Sequence, residues 1–189
     1  EAGNISLRGS SSLTEDGVDI GGFSQLLTST GNVTVTGDAT GDDDGVDIHG
    51  EAVIETTSGN ITITGTATGL SAEDGVLITG GDPDFPTLIT TETGQVTITG
   101  IGANLDSGVE IGPFVIVEST GTGAGTLRFD GTSDTPDIDE AGTFISTALI
   151  SSATGNIELI GTSDQEAGLV IEFGALVESA GSGSDAATI

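Results

Sequence analysis

The stretch Thr56–Gly69, TTSGNITITGTATG, has two near copies: TSTGNVTVTGDATG from Thr28 and TETGQVTITGIGAN from Thr91. Self-similarity at a period near 30 residues constrains the fold more than any other feature of the chain. Each unit must be one supersecondary element that buries its apolar face only by stacking on its neighbours. The phrase is a Gly, a polar residue, then alternating apolar and polar residues. It starts at Gly3, Gly31, Gly59, Gly94, Gly125 and Gly155, in steps of 28, 28, 35, 31 and 30 residues. A second phrase, Gly followed by three mostly apolar residues, begins at Gly17, Gly45, Gly75, Gly108, Gly142 and Gly168. A third apolar run closes each unit: Leu26–Leu27, Val53–Ile54, Leu88–Ile89, Ile116–Val117, Leu149–Ile150 and Leu176–Val177.

Three short strands per unit suit one coil of a parallel β-solenoid better than a sandwich, whose hairpins pair locally without longer self-similarity. The predicted fold is all-β: a parallel β-helix of about six three-strand coils, one β-solenoid block over residues 1–189, with no α-helix. No stretch holds a 3.6-residue apolar period, and Gly and Thr are poor helix formers. Coils spaced ~4.8 Å apart give a length of ~29 Å. A right-handed climb follows the general preference of parallel crossovers. Ile61 and Ile63 are expected to point inward, with Thr62 and Thr64 outward. The inward column then reads Ile5, Val33, Ile61, Val96, Leu127, Ile157. A corner column of Asn4, Asn32, Asn60, Gln95, Thr126 and Asn156 is expected to hydrogen-bond up and down the stack. The glycines before it are expected to adopt a left-handed turn conformation. Length variation falls between strands, at Gly80–Pro86 and Thr132–Gly142.

Charge decides which partners fit. The chain has two Arg, no Lys and 30 acidic residues, a formal charge of −28. Nucleic acid is excluded as a partner, because nothing neutralises phosphate. Anionic membrane surfaces are disfavoured for the same reason, and no apolar run reaches 18 residues, so no membrane insertion is expected. Cations and basic surfaces are the natural partners. Hydrophobic residues still make up 34% of the chain, much of it β-branched, which argues for folding rather than an acidic disordered tail. With no Cys there is no disulfide frame and no thiolate site.

GNITITGTATG, DGVDI and TTSGNITITG resemble the glycine-rich repeats of giant bacterial surface proteins. These are the β-strand-repeat proteins of cyanobacteria and planctomycetes, and filamentous-haemagglutinin-like or autotransporter adhesin stalks. The resemblance covers most of the chain in composition and period. It implies a right-handed parallel β-helix and an extracellular, cell-surface structural or adhesive role. It transfers no catalytic residue.

The acidic residues recur in register. Two positions before the second phrase stand Glu15, Asp43, Glu73, Asp106, Glu140 and Glu166; one position before stand Asp16, Asp44 and Asp74. Stacked, they are expected to form a vertical stripe. Two exposed charges ~4.8 Å apart repel by ~0.9 kcal/mol in water. Hard oxygen ligands at turns suit Ca²⁺, which takes six to eight oxygens in irregular geometry. The densest clusters are Asp42, Asp43 and Asp44 with Asp16 and Glu15, and Asp134, Asp137 and Asp139 with Glu140. The bland alternative is a solvated acidic surface; neither the EF-hand pattern nor the GGxGxD nonapeptide occurs.

Other features read as structural. Thr34/Thr36, Thr62/Thr64 and Thr97/Thr99 form a flat array, but it spans three coils and then breaks. Arg8 and Arg128 are expected in one outward column, with Asp130 and Glu158 available to Arg128. Phe23, Phe85, Phe114 and Phe173 are expected to pack corners, and His49 to sit exposed and alone at a strand end. Paired acids occur at nearly every turn, so no pair marks a glycosidase site, and no Gly-rich phosphate loop, serine triad or His pair is present. No enzyme is expected. DAATI at one end and EAGNISLRG at the other, joined, read ATIEAGNISLRG, close to AVIETTSGNITITG at Ala52–Gly65. This predicts that one block continues into the next, either in a tandem chain or by head-to-tail self-association; an excised fragment is the alternative. The expected function is thus an extracellular fibre, stalk, sheath or adhesin shaft, with Ca²⁺ as stabiliser. The alternative is a surface-binding module for a glycan, a host surface or ice.

Overall fold

A computed structural model of the chain describes residues 2–69, 73–103, 106–123, 125–134, 141–164, 166–181 and 187–188. Alternating apolar and polar residues between glycine-rich turns give three short strands per repeat. The first coil holds β1 (Ile5–Ser11), β2 (Val18–Ile20) and β3 (Gln25–Thr28). The second holds β4 (Val33–Ala39), β5 (Val46–Ile48) and β6 (Val53–Thr56). The third holds β7 (Ile61–Ala67), β8 (Val76–Ile78) and β9 (Thr87–Thr91). β10 (Val96–Ala103), β11 (Val109–Ile111) and β12 (Val115–Ser119) form the fourth. β13 (Leu127–Asp134), β14 (Thr143–Ser146) and β15 (Leu149–Ser152) form the fifth. β16 (Ile157–Ser163), β17 (Leu169–Glu172) and β18 (Leu176–Ser179) form the sixth, and β19 (Ala187–Thr188) opens another turn.

Every ladder is parallel, and each strand lies on its equivalent in the coil before. The first sheet runs β1-β4-β7-β10-β13-β16-β19; the second and third hold six strands each. The molecule is a parallel β-solenoid, with no helix among the described residues. The register matches residue on residue: Ile5↔Val33↔Ile61↔Val96↔Leu127↔Ile157. The core fills from three inward stacks, one per sheet, and Val33, Val46, Ile54, Ile61, Ile98 and Val117 are fully buried. Burying each such side chain contributes ~1.5–3 kcal/mol.

Hydroxyls and amides hold the corner between the third and first sheets. Thr56 Oγ1 donates to the Gly31 carbonyl at 3.1 Å and accepts from the Gly59 N–H at 3.0 Å. Ser152 accepts from the Gly155 N–H in the same way, and Ser179 donates to the Gly155 carbonyl. One residue past each glycine, Asn32 N–H donates to Asn4 Oδ1, Asn60 N–H to Asn32 Oδ1 and Gln95 N–H to Asn60 Oδ1, at 2.9, 2.9 and 3.0 Å. The column therefore bonds side chain to backbone rather than amide to amide. The amide satisfies a backbone donor at a turn where the sheet ladder is interrupted.

Four expectations are corrected here. Gly31, Gly59 and Gly94 are not left-handed. A Cβ on each would collide with the carbonyl of the glycine one coil below, so they are glycine because backbones stack there without room for a side chain. Among the described residues, positive φ falls mainly between the second and third sheets, at Gly22, Gly50, Gly174, Phe23, Glu51, Phe114, Thr147 and Phe173, and between the third and first sheets at Gly123. In the first coil Leu26, not Leu27, stands on Ile54, so Leu27 faces outward. Arg8 and Arg128 occupy neighbouring columns, over Thr36 and Thr97 respectively. Finally, Ala187–Thr188 pairs with Ile157–Glu158 in the first sheet. The DAATI–EAGNISLRG join had aligned this segment with the third run of a coil, a slot that Leu176–Val177 already fills.

Gly59→Ala is expected to destabilise the solenoid by more than ~3 kcal/mol, since a carbonyl of the coil below blocks the added methyl. Gly3→Ala, with open space around its Cβ, is expected to stay within ~0.5 kcal/mol of the parent. Denaturant melts of the two variants test this; equal stability of both would refute the close-stacking account.

Candidate functional site

The acidic turn lies between the first and second sheets. Its residues do not form the uniform exposed stripe expected. The column one residue before the second-phrase glycine turns inward. Asp44 N–H donates to Asp16 Oδ1 at 3.2 Å, Asp74 N–H to Asp44 Oδ1 at 2.8 Å, and Ser107 N–H to Asp74 Oδ1 at 2.9 Å. This is the same device as the Asn ladder at the other corner, built from carboxylates. Asp44 and Asp74 are buried in it. Burial removes water that an ionised carboxylate needs, and no opposite charge replaces it.

The titration follows from that geometry. Burial pushes Asp16 up to about 7, aided by the charge of Asp43 and opposed by the Asp44 N–H bond. Burial pushes Asp44 up to about 8, against the hydrogen bond from Asp74 and with the charges of Asp16, Asp47 and Glu73. Asp74 is raised well above the usual carboxylate range, again chiefly by burial. Glu73, buried beside this ladder, rises to about 7 through burial and the charges of Asp43, Asp106 and Asp42. Asp106 and Glu110 are raised by burial too.

Of the residues singled out in the sequence, Asp16, Asp43 and Asp44 meet, each offering one carboxylate oxygen within 4.8 Å of the others. Asp74 and Asp106 meet likewise, joined by Glu110, an outward residue of β11. Such sets can hold a hard divalent cation, with water or backbone oxygens completing its shell. Glu15, Asp42 and Glu166 are exposed and belong to neither set. Glu73 bridges its backbone to Ala103 and belongs to neither set either. Asp134 ends β13, and Asp137, Asp139 and Glu140 of the second predicted cluster lie outside the described residues.

A third set was missed. His49 Nε2 lies 3.2 Å from Asp19 Oδ1 and 3.8 Å from Asp47 Oδ2. The lone, exposed His49 of the sequence is therefore paired. Its ring packs against Gly21, where any Cβ would meet it. Asp47 Oδ1 is buried with no hydrogen-bond partner, and burial, countered by His49, lifts this carboxyl to about 6. The signal was legible: VDI recurs 28 residues apart, which puts Asp19 under Asp47, and His49 follows two residues on. Arg128 forms the expected pairs with Asp130, at 2.7 Å, and with Glu158.

This register and these ladders define a parallel β-solenoid repeat protein. Comparison of the chain with protein-family models, with curated proteins and with solved structures returned no match.

A carboxyl raised on folding binds its proton more tightly in the folded chain than in the unfolded one. The stability it contributes is complete below the ordinary carboxylate range and is lost as pH rises through its folded value. In metal-free buffer, the melting temperature is therefore expected to fall as pH rises from about 4 to about 8. Asp44→Asn keeps the acceptor for the Asp74 N–H but cannot ionise, so it is expected to melt higher than the parent at pH 8.5 and to flatten the profile. A parent profile that rises over this range, or an Asp44→Asn variant that melts lower at pH 8.5, would contradict this.

Proposed function

We propose that the chain is a structural solenoid, a section of an extracellular shaft such as a fibre, stalk, sheath or adhesin stem, extended end to end by further coils. One observation carries this reading: core columns open at the first coil in the first sheet and at the sixth coil in the second. Ile171 is 37% exposed, while Ile145, directly beneath it in the same column, is 0% exposed. Ile5 and Leu7 are partly exposed where Val33 and Val35, on the next coil, are fully buried. The outermost strands also carry backbone groups in the spacing a further parallel strand would use. Aliphatic residues register with aliphatic along the inward column of the first sheet, so a coil supplied by a second block would meet the same template as a coil supplied in the chain. Cell-surface location accords with the repeat resemblance.

Cations, Ca²⁺ first among them, suit this shaft as stabilisers. The Asp16–Asp43–Asp44 and Asp74–Asp106–Glu110 sets place like charges together along the axis, and a divalent ion between them removes the repulsion. No catalysis is assigned: the carboxylates that meet are repeats of one turn, and the buried ones serve backbone donors.

Purified chain, concentrated from micromolar to millimolar and imaged by electron microscopy, is expected to form axial filaments. Ile171→Glu, which charges one open end, is expected to keep it monomeric. Saturating Ca²⁺ at ~100 times its dissociation constant would add ~2.7 kcal/mol, or ~5–10 °C of melting temperature, reversed by a chelator. A chain that stays monomeric at millimolar concentration, with or without Ca²⁺, would remove the shaft. A melting temperature unmoved by Ca²⁺ and by chelator would remove the metal.

A further inference from the structure

The outer face of the third sheet differs from the rest of the surface. On the first sheet two adjacent outward columns are threonine over three central coils, Thr34–Thr62–Thr97 and Thr36–Thr64–Thr99. On the third, one outward column over consecutive coils reads Val53, Leu88, Ile116, Leu149, Leu176. The first four are partly exposed and Leu176 is 50% exposed. The adjoining corner column extends the apolar surface with Pro86 and Phe114, in register with each other one coil apart. The Gly80–Pro86 insertion stands on this face, held by Asp82 Oδ1, which accepts from the N–H groups of Asp84 and Phe85. A hollow of about 330 Å³ on one side is lined by Pro83, Pro86, Phe114, Ile116, Leu149 and Leu176. One of about 280 Å³ on the other is lined by Phe23, Val53, Phe85 and Leu88 with Glu51 and Asp84.

Contrary to the sequence expectation, three of the four phenyl groups do not pack the corner, and Phe114 is half-buried. Phe23 and Phe173 are 72% and 73% exposed, and Phe85 is 54% exposed. Phe23, Phe114 and Phe173 hold φ of 67°, 60° and 50°, a left-handed conformation that costs a bulky residue of order 1–3 kcal/mol. Glycine would relieve that strain. The chain instead keeps an aromatic ring there on three coils, beside an aliphatic ridge.

Charge selects the occupant. Two residues along each strand from the ridge, the next outward column carries Glu55, Glu118 and Glu178 on alternate coils. Glu51 and Asp84 flank the hollow beyond the corner. A second copy of this chain would bring another −28. The face is also too small for it. Five coils at ~4.8 Å, two columns wide, offer ~250 Å² against the ~800 Å² per partner of a stable dimer. An anionic membrane is repelled. An apolar ridge edged by carboxylates complements an apolar stripe edged by Lys and Arg. A face ~24 Å long matches ~16 residues of helix, whose 5.4 Å pitch lets successive turns meet successive coils. We propose that the outer face of the third sheet docks a basic amphipathic α-helix of a partner protein, its apolar stripe along the Val53–Leu176 ridge and its cations over Glu55, Glu118 and Glu178. This site lies on the side of the solenoid and is independent of axial assembly.

The probe is a fluorescent 16-residue Leu/Lys peptide with apolar residues at helical spacing, titrated against the full chain in ~150 mM salt by anisotropy. It is expected to bind one to one. A scrambled peptide of equal composition is expected to bind at least tenfold more weakly. Ile116→Thr/Leu149→Thr, which gives the ridge the outward residue of the first sheet and leaves the charge unchanged, is expected to weaken the helical peptide at least tenfold while melting within a few degrees of the parent. Should that variant unfold, Glu55→Gln/Glu118→Gln/Glu178→Gln is expected to weaken binding at least fivefold with the ridge intact. Equal binding of scrambled and helical peptides, no binding, or unchanged affinity of either folded variant would overturn the proposal. So would a lateral dimer, or binding to zwitterionic vesicles, that the ridge variant abolishes.

Discussion

Parallel stacking in strict register sets the terms for everything else in this molecule. Each side chain rests on its counterpart one coil away at a strand spacing, so every position must tolerate its own kind as neighbour. Aliphatic residues meet this by burial, as in the Ile5–Ile157 column. Hydroxyls and amides meet it because they hydrogen-bond to the backbone of an adjacent coil, Thr56 Oγ1 donating to the Gly31 carbonyl and Asn32 Oδ1 accepting from the Asn60 N–H. Glycine meets it by vanishing where carbonyls stack on Cα atoms. Carboxylates meet it badly, and the chain nevertheless stacks three of them.

The Asp16–Asp44–Asp74 ladder shows the conflict directly. Its hydrogen-bond geometry matches that of Asn4–Asn32–Asn60 at the opposite corner, with the same atom accepting from the same kind of backbone donor. Amide would satisfy the turn at no electrostatic cost. Carboxylate satisfies it while accumulating charge in a place that water does not reach. The ladder ends when Ser107, and above it Ala141, take the position. A turn that needs only acceptors has no use for that charge. A turn that also receives a proton or a cation does.

Both functional readings use surfaces that repetition leaves unfinished. Along the axis, the ends expose the next layer of the core. To the side, the third sheet turns an aliphatic column outward where the first sheet shows threonine. The two differ in how repetition acts: the ends offer a template because the core register repeats, whereas the ridge and its strained phenylalanines vary from coil to coil. A shaft with an address on one flank is consistent with both.

The sequence by itself determined the period, the three strands per coil, the inward columns and the in-register recurrence of the acids, because hydrophobic alternation and like-on-like stacking are local rules that repeat. It could not decide which of two adjacent acids turns inward. Asp43 and Asp44 are neighbours in the chain, and only the path of the turn sends Asp44 beneath Asp74. Nor could it locate the left-handed corner, since glycine marks both close stacking and positive φ, and only the neighbouring coil shows which applies. The aliphatic ridge and its Glu-edged column, unlike the Asp19–Asp47–His49 set that the recurring VDI marks, needed the third dimension for the same reason. Their residues lie about thirty apart, and a single residue of register, such as the one separating Leu26 from Leu27, moves a side chain from the core to the opposite face.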